Sequence, residues 1–535
     1  MNGKVYSAAA DSLGTQVNDG TDAVPRPLRR MSLAVAAVLA CGGCATAAHA
    51  QATPQEQPQQ PGSPPQSAPP SVAAPRPGTG AGPQPPYGVS RWNEDYLYLR
   101  DPARRTDFWD PLKYIPLNEA GDWYLSLGAQ ARYRYERYED NNVGAGPQDD
   151  TGFHLLRGLF HADLHLGPNF RVFAQGKTAL EDGRTGGPRP ADKDTFDLQQ
   201  LFADVILPLN DDGMTLTLRG GRQDLYYGAQ RLISPLDWTN VRRTFEGGKA
   251  SLQFSKTHTL DAFVVAPVIV EPEEPNYRDG NQTFFGVYDT IGLPGLIPEA
   301  NSKVEWYALG LIKTGVGGYP TEGFGLDEDR YTVGVHFSAQ PKPFDVDVEG
   351  AYQFGKLDGG DINAWMFAGE VGYTLADATF APRLYVGFDI ASGDDDPGDG
   401  DSETFNQLFP LAHPYFGFID LFGRQNIIDV HPGVELTLLQ NERYAKKVTL
   451  RTDYHAFWRQ SDDDAVYNTA GGVLRGDVGG QRFIGHEVDF LLNWQVDRHL
   501  AAYAGYSYFF PGDFFDDAEP DEDVDWVYAA VVYTF

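Results

Sequence analysis

Cationic side chains recur on one face of successive alternating stretches of this chain. Arg132 and Arg134 alternate with Ala131, Tyr133 and Tyr135, and Arg157, Arg171, Lys177, Arg219, Lys249, Arg330, Arg383, Arg451 and Arg459 fall on the polar side of their own alternating stretches. A guanidinium is planar, stays charged, and binds a carboxylate through two parallel hydrogen bonds. At 4 Å such a pair is worth about 1 kcal/mol in water and about 4 kcal/mol at an effective dielectric of 20. A row of these cations therefore suits weak, repeated contact with carboxylates. An alternative stays open for each of them, a rung in an ordinary charge ladder. Asp163, Asp204, Asp347, Glu349, Glu370, Asp389, Asp453, Glu487 and Asp489 share the same polar faces.

Other residue sets are weaker candidates. Asp394, Asp396, Asp399 and Asp401 have oxygen-ligand spacing and could hold a loop-bound Ca²⁺, but the run lacks the terminal Glu and spacing of an EF-hand. A solvated loop is the preferred reading, as for Asp462 to Asp464 and for Asp516 and Asp517. Cys41 and Cys44 form a C-x-x-C pair that alone would suggest zinc or redox chemistry. His161, His165, His455 and His486 read as single histidines on strands. No H-E-x-x-H, G-x-S-x-G or P-loop motif occurs, so no catalytic constellation is evident.

The elements that must position the cations are strands. From Trp123 to Tyr135 the odd positions are apolar or aromatic, apart from small Ala129 and Ala131, and the even ones are largely polar. The same period of two returns at 344–354 and at 448–458. Side chains alternate across a strand, so one face meets an apolar medium and the other water or polar groups. Such stretches start near Trp123, His154, Phe170, Phe196, Thr215, Thr244, Thr259, Gln282, Lys303, Arg330, Phe344, Ala364, Pro382, His431, Val448, Phe483, Leu500 and Asp525. About eighteen strands, at about 23 residues per strand and connection, fit an antiparallel outer-membrane β-barrel.

Connections alternate in length. Short turns are expected at 167–169, 208–213, 255–258, 340–343, 376–381, 440–446 and 496–498. Long polar outer loops are expected at 139–152, 181–195, 224–243, 271–281, 314–329, 392–429, 460–482 and 511–524, and the connection 289–302 is longer than its parity predicts. The chain of 535 residues ends in an alternating strand closed by Phe535 and carries 28 Tyr, 32 Phe and 9 Trp. A soluble sandwich or propeller would need a second sheet over Trp365, Phe367, Val371 and Tyr373. There is no run of about 18 apolar residues, which excludes a helical membrane protein. The net charge of −32 argues against nucleic acid as a partner.

The first ninety residues read as address and tether. Pro25 to Arg30, the apolar run Met31 to Ala40 and Ala48-His49-Ala50 form the three regions of a secretory signal over residues 1–50, and the long basic region points to a start downstream of Met1. A buried helix and lipoprotein processing at Cys41 are the alternatives. Cleavage after Ala50 would leave a mature chain without cysteine. Residues 51–86, rich in Pro and Gln, cannot bury enough apolar surface to offset ordering entropy and are expected to be a disordered linker. Residues 87–122 would be a periplasmic N-terminal segment, and 123–535 the barrel.

Several blocks, taken in order, resemble the alginate-export family of outer-membrane proteins. They include Tyr98-Leu99-Arg100-Asp101-Pro102, Gly221-Arg222-Gln223 with Arg231, Asn240-Val241-Arg242-Arg243, Ala351-Tyr352-Gln353-Phe354-Gly355, Thr404-Phe405-Asn406, Asp453 to Arg459 and Tyr506 to Gly512. The resemblance spans nearly everything from Trp92 to Phe535. It implies an eighteen-stranded barrel in the bacterial outer membrane through which an anionic polysaccharide, an alginate-like polyuronate, leaves the periplasm. Arg222, Arg231, Arg242 and Arg243 join the expected substrate path on this ground. Further implied partners are outer-membrane lipid and the barrel-assembly machinery, which would read Phe535, and the resemblance admits periplasmic polymer-secretion proteins. Arg383 and Arg451 are the expected determinants of anion preference. The Gln/Pro tether and acidic loops depart from the family and leave the polymer open. An anion-preferring general porin for small solutes is the first alternative, and a barrel enzyme the second.

Overall fold

The computed structural model describes residues 87–297, 300–315, 327–476 and 480–535. The expected signal and linker lie outside them. Among the described residues, eighteen antiparallel strands close into one barrel. In chain order they are β1 (Trp123–Glu139), β2 (Phe153–Leu166), β3 (Phe170–Asp182), β4 (Asp194–Pro208), β5 (Thr215–Gln223) and β6 (Phe245–Ser255). There follow β7 (His258–Ile269), β8 (Gln282–Gly292), β9 (Lys303–Lys313), β10 (Glu328–Ala339), β11 (Phe344–Leu357) and β12 (Gly360–Thr374). The last six are β13 (Arg383–Ala391), β14 (Ile427–Glu442), β15 (Ala445–Trp458), β16 (Phe483–Gln495), β17 (Leu500–Pro511) and β18 (Val524–Thr534). Each strand pairs with its neighbours in sequence, and β18 closes the sheet on β1 through partners running from Gln130↔Thr534 to Glu139↔Asp525. Full closure leaves no unpaired edge, which the hydrocarbon core of a bilayer requires.

Alternation sets the two faces as expected. Trp365, Phe367, Val371 and Tyr373 are exposed on the outside, while their strand neighbours Ala364, Met366 and Ala368 are buried inside. Strand starts lie within four residues of their expected places, the largest offsets being β12 at Gly360 and β14 at Ile427. The connection between β11 and β12, at the end where most loops are long, is only Asp358-Gly359. Both residues have positive φ, 48° and 96°, as a two-residue hairpin turn demands.

Two of the expected outer loops are not outer loops. The segments 224–244 and 392–426 fold back into the lumen and pack on each other. Ile233 bridges Phe409 in parallel, with Ser234 N donating to Phe409 O and Phe409 N to Leu232 O, both at 2.9 Å. Phe409 stands edge-on to Phe245 and Phe284 at 5.1 and 4.9 Å between ring centres. Leu225, Leu232, Ile233, Phe405, Leu408, Phe416, Ile419 and Phe422 are buried with them. The physical reason is composition: these segments carry too much apolar surface to stay in water, and the barrel interior is the nearest place to bury it.

Residues 87–122 engage the short-turn end. Short 3₁₀ turns at Arg91–Asn93, Leu97–Arg100 and Pro102–Arg104 and one helical turn at Asp110–Lys113 shape the segment. Trp92 enters the lumen against Phe173 and Phe202, and its indole N–H donates to Asp224 at 2.6 Å. A two-residue strand, Ile115–Pro116, pairs with Leu125 and Tyr124 of β1.

Candidate functional site

The lumen is lined by the cations that alternation assigned inward. Arg132, Arg134, Arg157, Arg171, Lys177, Arg219, Arg330, Arg451 and Arg459 are all buried, as are Arg222, Arg231, Arg242 and Arg243, whose placement rested on resemblance. Strand geometry brings together only some of them. Arg132 and Arg134 on β1 and Arg157 on β2 sit side by side because Arg132 and Arg157 are cross-strand partners. All three aim at the inserted turn 237–239. Arg132 donates to the carbonyls of Asp237 and Thr239 at 3.0 and 2.7 Å, Arg134 to that of Trp238 at 2.7 Å, and Arg157 to that of Asp237 at 2.8 Å. Arg242 comes from the inserted segment itself, 3.3 Å from the Asp237 carboxylate and 3.0 Å from Asp224. The carboxylates paired with these four cations are Glu136, Asp224 and Asp237, so the cluster carries one more positive than negative charge.

Most of the other cations are rungs of a ladder. Arg171 forks onto Asp163 and Arg219 onto Asp204. Lys177 meets Asp194 at 2.7 Å, and Lys249 meets Asp261 at 3.3 Å. Arg222 lies between Asp197 and Glu246, and Arg330 holds Glu328. Arg231 crosses the lumen from the inserted segment to Asp347 and Glu349 on β11. Arg243 binds the carbonyls of Ser234 and Pro410 and so joins the two inserted segments. Arg459 donates to the carbonyls of Asp464 and Gln481.

Arg383 and Arg451 differ from expectation. Arg383 is held by Asp345 and Glu370, and Arg451 by Asp453. Arg451 is committed to a carboxylate on its own strand, and Arg383 to one on the adjacent β12 and one on β11 beyond it. The net positive charge lies instead at Arg132, Arg134, Arg157 and Arg242. Each local pairing follows from strand register, which sets acid beside base two residues apart or on the next strand.

Asp394, Asp396, Asp399 and Asp401 are not gathered around a common point. Asp394 accepts from Asp396 N at 3.0 Å and Asp399 from Asp401 N at 2.8 Å, as in Asx turns. Asp401 caps the strand end at Asp361 N. Among the described residues, the one group whose ligand atoms gather within 4.8 Å is Asp429, His431 and His455. His455 is thus not a single histidine. The signal for it is Asp429-x-His431, two inward positions of one strand, but the partnership with His455 depends on the register of β14 with β15, which one sequence does not display.

The alginate export family profile matches residues 123–528, the whole barrel but its last few residues. No curated protein matches the chain by sequence. Among solved structures, Pseudomonas aeruginosa OpdQ is similar at a TM-score of 0.51 and 13% identity, covering 77% of this chain and 98% of that one. Acinetobacter baumannii OccAB2 is similar at a TM-score of 0.51 and 12% identity, with the same 77% and 98% coverage. At this identity the likeness concerns the barrel fold alone.

Proposed function

Because the chain belongs to the alginate-export family and is an outer-membrane channel, we propose that the polymer it carries is an anionic polyuronate leaving the periplasm. The observation that supports this reading is the cluster of Arg132, Arg134, Arg157 and Arg242 around the turn 237–239. Its guanidinium donors are turned toward main-chain carbonyl oxygens. A carboxylate of an arriving sugar offers the same donors two oxygens and a full charge, a stronger acceptor than the carbonyl it replaces. As the turn 237–239 gives up its contacts, the inserted segment 224–244 loosens and a path opens. Each new sugar then displaces the last, so that no single site traps the chain.

In this reading the channel does no catalysis. Residues 1–50 are removed on export, Phe535 is read by the barrel-assembly machinery, and lipid covers the exposed aromatic face. Periplasmic polymer-secretion proteins would deliver the polymer to the short-turn end, where Trp92 and Arg91 stand.

The test is a deletion strain complemented with the wild-type gene or with Arg132→Gln/Arg157→Gln. Loss of secreted uronate in the deletion, and failure of the double variant to restore it while the barrel still assembles, is the expected result. Unaltered polymer with reduced uptake of small anions would overturn export and leave a general anion porin.

A further inference from the structure

The cation cluster at the turn 237–239 has an acidic counterpart elsewhere in the lumen. Asp163, Asp204, Asp347, Asp389 and Asp453 each have an arginine. Asp429, Glu487 and Asp489 do not. All three are fully buried, and among the described residues their ion-pair partners are histidines or none. The side-chain oxygens Glu487 Oε2 and Asp489 Oδ2 have no hydrogen-bond partner. A buried carboxylate without a cation is costly, and here one on β14 and two on β16 flank the same strand, β15.

The histidines beside them have the arrangement of ligands. His431 Nδ1 lies 2.7 Å from Asp429 Oδ2, and His455 Nδ1 lies 3.0 Å from the same oxygen. The two rings stack at 4.9 Å between centres, and both Nδ1 atoms face the same carboxylate oxygen. Tetrahedral coordination at about 2.0–2.1 Å sets donors roughly 3.3 Å apart, so the carboxylate oxygen has to draw back from the two nitrogens by only about 0.3–0.6 Å for an ion to enter between them. The second ring nitrogen of His455 points to Asp489, with Nε2 3.7 Å from Oδ2. A carboxylate behind the far nitrogen is the usual way a ligating imidazole is oriented and made more basic.

We propose that Asp429, His431 and His455 bind a divalent transition metal of the zinc class, with Asp489 orienting His455. Two imidazoles and one carboxylate favour zinc over calcium or magnesium, which prefer oxygen alone. The site lies in the lumen wall directly behind the inserted segment 392–426. Ile419 N donates to Glu487 at 2.9 Å and Phe418 N approaches Asp489 at 3.4 Å. A bound metal therefore stiffens the wall on which that segment rests. The proposal does not depend on what the pore carries.

The test uses the full mature chain refolded in detergent, stripped with EDTA and titrated with Zn²⁺ alone, then with Co²⁺. One Zn²⁺ per chain and an intense visible Co²⁺ spectrum of tetrahedral type are expected from the wild type. His431→Asn/His455→Asn should lose both signals, and Asp489→Asn should weaken Zn²⁺ binding about 10–100-fold. His486→Gln, on the outer face, should change neither. The Co²⁺ spectrum needs no variant, so a poorly folding mutant does not blunt the test. Absence of stoichiometric Zn²⁺ from the wild type, or unchanged binding by the double variant, overturns the proposal.

Discussion

Trp109 lies flat on Phe535, with ring centres 3.8 Å apart and planes 15° from parallel. Its indole N–H also donates to the Tyr533 hydroxyl at 2.8 Å. The segment before the barrel thus covers the residue that ends it. Beneath the stack, Phe535 and Ala129 exchange two main-chain hydrogen bonds of 2.9 Å, adding a rung to the seam between β1 and β18.

Trp109→Ala should therefore weaken the seam without altering the pore. An aromatic pair contributes about 0.5–1.5 kcal/mol beyond its buried area. The heat-induced shift from folded to unfolded mobility on SDS gels should occur at a lower temperature, and single-channel conductance should stay the same. Unchanged heat stability would show that the stack carries no load.

The neighbouring Asp107 makes the latch sensitive to acid. Burial raises its pKa, but the Trp109 N–H, the His499 ring at 2.7 Å and Arg498 outweigh that and hold it below the ordinary range. A depressed carboxylate contributes stability that is full above its unfolded pKa, about 3.9, and is lost as pH falls through the folded value. Melting followed from pH 6 to pH 2 should show a decline below about pH 4 that Asp107→Asn flattens. Parallel curves for both proteins would remove Asp107 from the account.

Lipid-facing positions should resist charge. Val348, Val386 and Leu450 lie on the outer faces of β11, β13 and β15, and arginine near the membrane midplane costs about 2–4 kcal/mol. Urea titrations in lipid vesicles should show each substitution losing stability on that scale, less toward the rims. Three variants as stable as the wild type would contradict the face assignment.

Phe409 should act as the clasp of the inserted segments. Phe409→Ala removes a ring packed on Phe245 and Phe284 and should cost the seat about 3–5 kcal/mol, shifting the seated fraction by over a hundredfold, with about 1.4 kcal/mol per decade. Planar-bilayer recordings should show larger or more frequent openings, and cells should become more permeable to large antibiotics. Recordings identical to the wild type would mean that the segments do not limit the pore.

Anion preference should follow Arg132 rather than Arg383. With a salt gradient across a planar bilayer, the wild type should favour anions, less so as salt approaches 1 M and screening shortens to about 3 Å. Arg132→Gln removes a cation bonded to carbonyls and should reduce the preference. Arg383→Gln frees Asp345 and Glu370, so it mainly disturbs folding. A cation-selective wild type would contradict the charge count at the turn 237–239.

The barrel was legible because a membrane strand has one repeating demand, and the sequence meets it eighteen times. Inward placement of Arg132, Arg157 or Arg451 follows from that same parity. What a single sequence does not display is lateral register. Whether Arg383 faces a sugar or Glu370, and whether His455 stands alone or beside His431, depends on which residues of neighbouring strands lie opposite. The inserted segments escaped for another reason: Leu232, Ile233, Phe405 and Phe409 have no strand period, so only their apolar content marked them as buried.

The seam has a consequence in time. Every barrel pairing but one joins strands adjacent in sequence, and each can form as a local hairpin with little loop entropy to overcome. The exception joins β1 to β18, bringing Ala129 to Phe535 across almost the whole barrel sequence. Closing it is the slow, single event on which the cylinder depends. A variant weakened only at Trp109, which adds its stack after the ends have met, should assemble at the normal rate and come apart faster.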